Sequence, residues 1–301
     1  MVTREVLTTE RGRFETLIGG PVEGPAVLLL HGFPQTFDTW RQHLPSLTEA
    51  GFRVIAPNQR GYGGSDRDGS YALRDLVADA VAILDAAGVD RAVAVGHDWG
   101  GAIVWGLASR YPERVAGLVA LNSPPPQVLR EYIRRHPRQR LRSSYMVAFQ
   151  VPKVPERVLA GRIPRLIRAS SHNQGVWTED ALRPYDEAFA TPEDLTGPLN
   201  WYRGMRSPGT SAEGRRSQRI SAPVLVIWGI EDAVMSEDLV APESLRPLLA
   251  GGNEPQVVRI PGAGHFVQDE APAEVRRVLG RWLDEHAPPG RPLAPPTSSA
   301  G

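Results

Sequence analysis

Arg91-Ala92-Val93-Ala94-Val95-Gly96-His97-Asp98-Trp99-Gly100-Gly101-Ala102 is the most informative segment of the chain. A short apolar, β-branched run ends in a glycine-rich corner, and helix-competent residues follow up to Tyr111. The pattern is strand, sharp turn, helix. Gly96, Gly100 and Gly101 stand at −2, +2 and +3 from Asp98. Small residues are needed at those offsets when a strained turn pushes one side chain out at a strand tip, because strand and helix backbones then pass very close. Ser usually occupies such a tip; here it is Asp98. Read alone, the stretch is equally an ordinary βα loop whose Asp caps free N–H groups at a helix N-terminus. The flanking sequence has to decide.

Outward from this stretch the same rhythm repeats. Pro25-Ala26-Val27-Leu28-Leu29-Leu30 is continuously apolar, as a strand buried on both faces must be, and ends in His31-Gly32-Phe33-Pro34. The pattern predicts a helix over residues 37–50, a strand over 52–57 and a helix over 71–87, with Gly51 and Gly88 as stops. Val115-Ala116-Gly117-Leu118-Val119-Ala120-Leu121-Asn122 is a further strand, and residues 4–9 and 13–18 form an opening hairpin around Glu10-Arg11-Gly12. Later come a strand at Pro223-Val224-Leu225-Val226-Ile227-Trp228-Gly229, a helix over 236–249, a strand at Gln256-Val257-Val258-Arg259-Ile260 and a helix over 273–286. Strands alternating with helices at this spacing specify βαβ units. The expected fold class is α/β: a mostly parallel eight-stranded sheet flanked by helices, with an inserted helical segment.

The rhythm breaks at Ser123-Pro124-Pro125-Pro126, and no strand pattern follows until about residue 218. Residues 124–168 hold ten Arg and one Lys against two Glu, while 169–205 lean acidic. The segment reads as short helices joined by Pro and Gly, lying over the sheet ends where α/β proteins bind ligands. Its basic stretch reads as a solvated face partly paired with the acidic half, rather than a nucleic-acid surface. Residues 1–123 and 219–286 would then form the core domain and 124–218 a helical cap. Residues 287–301, rich in Pro, Gly, Ser and Ala, read as a disordered tail.

Bulk properties narrow the function. The chain has 301 residues, 41% hydrophobic and 23% charged, with 34 basic and 34 acidic side chains. Zero formal net charge gives no whole-chain reason to expect nucleic acid or an anionic membrane as partner. Without Cys there is no disulfide, thiolate nucleophile or Cys-based metal site. Met1-Val2-Thr3-Arg4-Glu5 lacks an apolar signal core, and no apolar run approaches the ~18 residues of a membrane span. The expectation is a cytoplasmic protein, monomer or homodimer. No cofactor is expected. No metal is expected either, since neither H-x-x-E-H nor H-E-x-x-H occurs near His31 or His97.

Three loops at strand ends carry Asp98, Asp232 and His265, in the chain order nucleophile, acid, histidine. Ends of parallel strands share one edge of the sheet, so these residues can meet. Over about residues 4–286 the chain resembles the α/β-hydrolase fold family, and within it the epoxide hydrolases, relatives of the haloalkane dehalogenases. Gly96-His97-Asp98-Trp99-Gly100-Gly101 resembles their elbow and His31-Gly32-Phe33-Pro34 their oxyanion loop. Trp228-Gly229-Ile230-Glu231-Asp232 resembles the acid loop, with Glu231 a rival next door, and Gly264-His265-Phe266 the histidine loop. The resemblance implies that the backbone N–H groups of Phe33 and Trp99 hold an oxyanion. It also implies a substrate pocket of His31, Pro34, His97, Phe149, Trp201 and Phe266.

Asp in place of Ser changes the chemistry. A carboxylate is ionised at neutral pH, so it can displace at a saturated carbon without a base, and its ester remains hydrolysable where a Ser ether would not. His265, oriented by Asp232, would draw a proton from water that attacks the Asp98 carboxyl carbon. Opening an epoxide places charge on its oxygen, which calls for a donor. Ser143-Ser144-Tyr145-Met146 and Asn200-Trp201-Tyr202-Arg203 resemble the two cap-tyrosine segments of epoxide hydrolases, which nominates Tyr145 and Tyr202. The expected function is conversion of a small-molecule epoxide and water to a diol. A haloalkane dehalogenase and a ligand-binding protein without activity are the alternatives; dehalogenases usually carry Asn where this chain has Phe33.

Overall fold

Four runs of the chain are buried at every residue: β3 (Ala26–Leu30), β5 (Ala92–His97), β6 (Val115–Leu121) and β7 (Val224–Gly229). They are the middle of a sheet, apolar on both faces because both faces are covered. Around them lie β1 (Val2–Thr9), β2 (Gly12–Gly19), β4 (Arg53–Pro57) and β8 (Gln256–Ile260). The strand order is β1-β2-β4-β3-β5-β6-β7-β8. Pairing is antiparallel for β1/β2 and β2/β4 and parallel from β4 onward. The computed structural model describes residues 1–207 and 217–288; beyond residue 288, the expected disordered tail lies outside the described residues.

Alternation along each strand divides the core in two. Leu28, Leu30, Ala94 and Val226 face one cluster and Val27, Leu29, Val93 and Leu225 the other. The first is covered by α2 (Leu73–Ala86) and α3 (Trp99–Arg110), the second by a 3₁₀ turn at Phe37–Trp40, α1 (Leu44–Glu49) and the C-terminal helix at Pro272–His286.

Between β6 and β7 the described residues form seven α-helices, a 3₁₀ turn at Gln174–Val176 and no strand. The helices are α4 (Pro126–Arg135), α5 (Pro137–Arg142), α6 (Tyr145–Ala148), α7 (Val154–Leu159), α8 (Ile163–Ser170), α9 (Glu179–Ala188) and α10 (Pro192–Gly204). Apolar residues of α10, including Leu195, Leu199 and Trp201, join the first core cluster, so the insertion packs on the sheet rather than standing apart. Downstream come α11 (Pro242–Leu245), α12 (Val267–Glu270) and α13 (Pro272–His286).

Two expected helices are shorter than their apolar patterns suggest. Residues 37–50 make the 3₁₀ turn and α1, separated near Gln42 and His43, with Pro45 in the first turn of α1. Residues 236–249 make a 3₁₀ turn at Glu237–Val240, then α11, then another 3₁₀ turn at Arg246–Leu248. Pro45, Pro242 and Pro247 each lack an N–H and disfavour helical geometry in the preceding residue, so each starts a new element.

Candidate active site

Asp98 stands at the tip of β5, as the residue before α3, with φ +49° and ψ −115°. A non-glycine side chain rarely occupies that region, and here the surroundings enforce it. Its carbonyl accepts from the Ser123 hydroxyl at 2.6 Å and from Ala102 N–H at 3.0 Å, and its N–H donates to Leu121 at 3.3 Å. A Cβ on Gly100 would collide with the Leu30 carbonyl, and one on Gly32 with the Asp98 side chain itself. Glycine at these places lets helix and loop close around the carboxylate. Oδ1 of Asp98 accepts the Phe33 N–H at 2.9 Å; the Phe33–Pro34 peptide is cis. Trp99 opens α3, so its N–H is among the donors a helix leaves unpaired, next to the same carboxylate.

Asp232 follows β7 and His265 follows β8, and the sheet brings both to Asp98. His265 Nδ1 lies 2.9 Å from Asp232 Oδ2, and its Nε2 lies 3.7 Å from Asp98 Oδ2. The first is a hydrogen bond; the second is too long for one. Glu231, the rival acid, is turned away and accepts the Gly262 N–H at 3.0 Å. Burial disfavours charge on both members of the His265–Asp232 pair. Mutual attraction and hydrogen bonds nevertheless hold Asp232 below the usual carboxylate range and push His265 up to about 10. Asp98 contributes to the rise at His265 as well.

Several residues that brace the triad were not anticipated. Asn122, at φ +38° just past β6, donates to Asp232 Oδ2 at 2.8 Å and exchanges hydrogen bonds with both backbone groups of Gly229. Val234 and Met235 N–H groups donate to the other Asp232 oxygen at 2.6 and 3.0 Å. Glu270 brackets His265, accepting from Gly264 N–H at 3.0 Å and Phe266 N–H at 3.2 Å, and from Asn173 of the insertion at 2.7 Å. The one signal for these was position: Asn122 ends a strand pattern, and Glu270 is an acid five residues past His265 in an apolar context.

A cavity of about 770 Å³ opens above Asp98, within the size range of small-molecule sites of roughly 300–1,000 Å³. Asp98, Trp99, Tyr145 and Tyr202 line it. The two phenol rings are 5.9 Å apart, and Tyr202 also packs edge-on against Trp99 at 5.2 Å. Burial, reinforced by neighbouring charges that include Asp98, raises both hydroxyl pKa values far above the ordinary tyrosine range. Both therefore keep their protons. Met146, Met205 and Met235, three of the four methionines in the chain, form part of the wall with Leu129 and Ile133.

The six residues expected to line the pocket lie elsewhere and need correction. None of His31, Pro34, His97, Phe149, Trp201 and Phe266 is on the cavity wall. They form the layer beneath it. Phe149 backs both tyrosines at 5.4 and 5.0 Å, and the Trp201 indole donates to the Arg60 carbonyl at 2.9 Å. His31 Nε2 accepts the Gln59 N–H at 3.1 Å, and His97 Nε2–H donates to the His265 carbonyl at 2.9 Å. Phe266 packs against the rings of His97 and His265, and Pro34 is buried beside Phe33. Burial drives His31 down to about 3 and His97 to about 4, so both are neutral props.

The basic stretch also differs from expectation. Arg134 and Arg135 pair with Glu131 of their own helix, and Arg203 of the acidic half pairs with Glu156 of the basic half. Arg130 and Arg134 face the cavity rather than an acidic partner segment.

The family model for the alpha/beta hydrolase fold matches residues 25–272. The chain belongs to the α/β-hydrolase fold family. Among curated members, this α/β-hydrolase is 36% identical over 271 residues to the AB hydrolase superfamily protein YfhM of Bacillus subtilis, covering 88% of this chain and 92% of that one. It is 34% identical over 284 residues to human epoxide hydrolase 4, covering 91% and 76%. Among solved structures, epoxide hydrolase A from Mycobacterium thermoresistibile superposes with a TM-score of 0.80 at 30% identity, covering 94% of this α/β-hydrolase and 98% of that chain. Among its described residues no helix is long and apolar enough to cross a membrane.

Proposed function

We propose that this α/β-hydrolase is an epoxide hydrolase working through an ester on Asp98. In this reading residues 1–123 and 219–286 are the catalytic core and 124–218 the cap. The observation that carries the proposal is one cavity that holds an ionisable carboxylate on a strained strand tip together with two strongly protonated tyrosine hydroxyls. Among the described residues Asp98 Oδ2 has no main-chain hydrogen bond like that of Oδ1, so it is the oxygen that attacks an oxirane carbon. The C–O bond breaks, its electron pair passes to the ring oxygen, and a proton from Tyr145 or Tyr202 neutralises that oxygen.

The ester must then be cleaved. A water placed between His265 Nε2 and the Asp98 carboxyl carbon gives its proton to the imidazole and its oxygen to the carbon. Negative charge gathers on Oδ1, where the Phe33 N–H already donates and the Trp99 N–H is adjacent. On collapse the His265 imidazolium gives its proton to the departing alkoxide, completing the diol, and the remaining water proton, left on the Asp98 carboxyl, returns the tyrosinate to phenol and restores the carboxylate. Esterification removes one of the two charges that favour a protonated His265. Its pKa therefore falls in the step that needs a base.

Trapping the ester tests this. His265→Gln mixed with styrene oxide should accumulate an adduct of substrate mass on the Asp98 peptide, and the same variant carrying Asp98→Ala should show none. The wild type should yield diol from styrene oxide and no bromide from 1-bromobutane. An unmodified Asp98 peptide in His265→Gln after mixing, or bromide without diol from the wild type, would overturn the assignment.

A further inference from the structure

The cavity described above is unusually cationic for a site whose chemistry concerns a neutral ring. Arg74, Arg110, Arg130 and Arg134 line it, and among the described lining residues Asp98 is the one carboxylate. Asp98 is nearly buried, as is Tyr202, whereas Arg130 and Arg134 are exposed. The nucleophile is thus the floor and these guanidinium groups are the mouth. Arg134 is shared with Glu131 at 3.2 Å, but neither Arg74 nor Arg130 has an acidic partner among the described residues.

Helix α4 explains how the mouth is built. Pro126, Leu129, Arg130, Ile133 and Arg134 all line the cavity. Their spacing of three and four places them on one face. Leu129 and Ile133 form an apolar strip with the two arginines along its edge. From Pro126 to Arg134 the helix rises about 12 Å. The three wall methionines extend the apolar surface, and their unbranched thioethers adapt to varied chains. From floor to mouth the site runs nucleophile and donors, apolar wall, then cations. Resting on the epoxide reading above, we propose that the substrate is an epoxide bearing an anionic group, carboxylate or phosphate, across an apolar span from the oxirane, and that Arg74, Arg130 and Arg134 receive that group. Arginine suits the task because its planar fork of donors matches both oxyanions.

The experiment measures kcat/KM on 10,11-epoxyundecanoate, its methyl ester and 10,11-epoxyundecyl phosphate. The wild type should favour an anion over the ester by about tenfold, mainly through KM, with the preference fading at high salt. Arg130→Gln with Arg134→Gln should pull the anion-to-ester ratio toward one. Arg140→Gln, an exposed charge off the cavity wall, should leave the ratio alone. The phosphate and carboxylate arms identify which oxyanion is preferred. An ester turned over as well as both acids, or a ratio insensitive to the double variant, would overturn the proposal while leaving epoxide hydrolysis intact. Binding of decanoate and decyl phosphate, followed by tryptophan fluorescence, reads the mouth without chemistry. Tight, arginine-dependent binding with no turnover of any epoxide would sink the hydrolase reading instead; no binding would sink this one.

Discussion

The core and the insertion hold their functional groups by different means. Asp98, Asp232 and His265 sit in loops after parallel strands β5, β7 and β8, and hydrogen bonds lock the two acids: Asp98 by the Phe33 and Ala102 N–H groups and the Ser123 hydroxyl, Asp232 by the Val234 and Met235 N–H groups. The insertion offers side chains from short helices with little anchorage of their own. Tyr145 rides on the four-residue α6, and neither α6 nor α4 buries a single residue completely. Tyr202 is the exception, on a thirteen-residue helix closed by a capping box at Thr191 and Asp194. The contrast is a division of labour. On the proposed reading, a rigid sheet edge fixes the reacting atoms while a looser layer chooses what reaches them.

Removing the two tyrosine hydroxyls proposed as proton donors should bring the largest loss. Tyr145→Phe with Tyr202→Phe should slow alkylation of Asp98 by roughly a thousandfold, the ordinary worth of general-acid help, with folding unchanged by circular dichroism. Pre-steady-state quenching of Trp99 on mixing with an epoxide would read it. Unchanged alkylation would mean the core opens the ring unaided.

Disturbing the layer behind the core should cost less. Asn122→Ala removes a hydrogen bond to a buried charge, worth ~1.5–3 kcal/mol, and so about tenfold to a hundredfold in rate. The loss should fall on ester hydrolysis, where His265 needs Asp232, and spare alkylation. An equal loss in both steps would show Asn122 to be a general structural prop.

The smallest effect is on stability and concerns the core alone. Burial holds His31 to about 3 and His43 and His97 to about 4, against 6.5 when unfolded. Between those values the unfolded chain binds more protons, so stability present above pH 6.5 is lost as pH falls. Asp269, raised by burial to about 6, and His265, raised to about 10, have the opposite sign; near pH 5 His265 is protonated in both states and Asp269 alone offsets one of the three. Up to about two protons net should be taken up on unfolding near pH 5, a slope of ~1–3 kcal/mol per pH unit. Urea midpoints at pH 7, 6 and 5 measure it. Equal midpoints would show that these rings are charged or solvated in the folded protein.

The same contrast decides what could be read from sequence. Continuous apolar runs such as Val27-Leu28-Leu29-Leu30 leave a buried strand little alternative, and the strand-end loops then place Asp98, Asp232 and His265 on one edge. Helices interrupted by proline were overextended, because apolar spacing continues through Pro45, Pro242 and Pro247 while hydrogen bonding does not. The pocket wall was misplaced for a related reason. Pro126, Leu129, Arg130, Ile133 and Arg134 plainly share a helix face, but periodicity does not say which cavity that face borders. The aromatic residues nearest the motifs proved to be the wall's backing. Asn122 and Glu270 act through hydrogen bonds between segments remote in sequence, which no local pattern encodes.

The wall of methionines has a consequence for the protein in an oxidising setting. The chain contains no Cys, and Met146, Met205 and Met235 hold all its sulfur apart from Met1. Half-exposed Met205 is the most open of the three to peroxide, and Met235 is nearly buried. Sulfoxide formation would turn a pliant apolar lining into a polar, chiral one. Damage would therefore reach the cavity wall before it reached Asp98, Asp232 and His265, and on the proposed reading selectivity would go before chemistry.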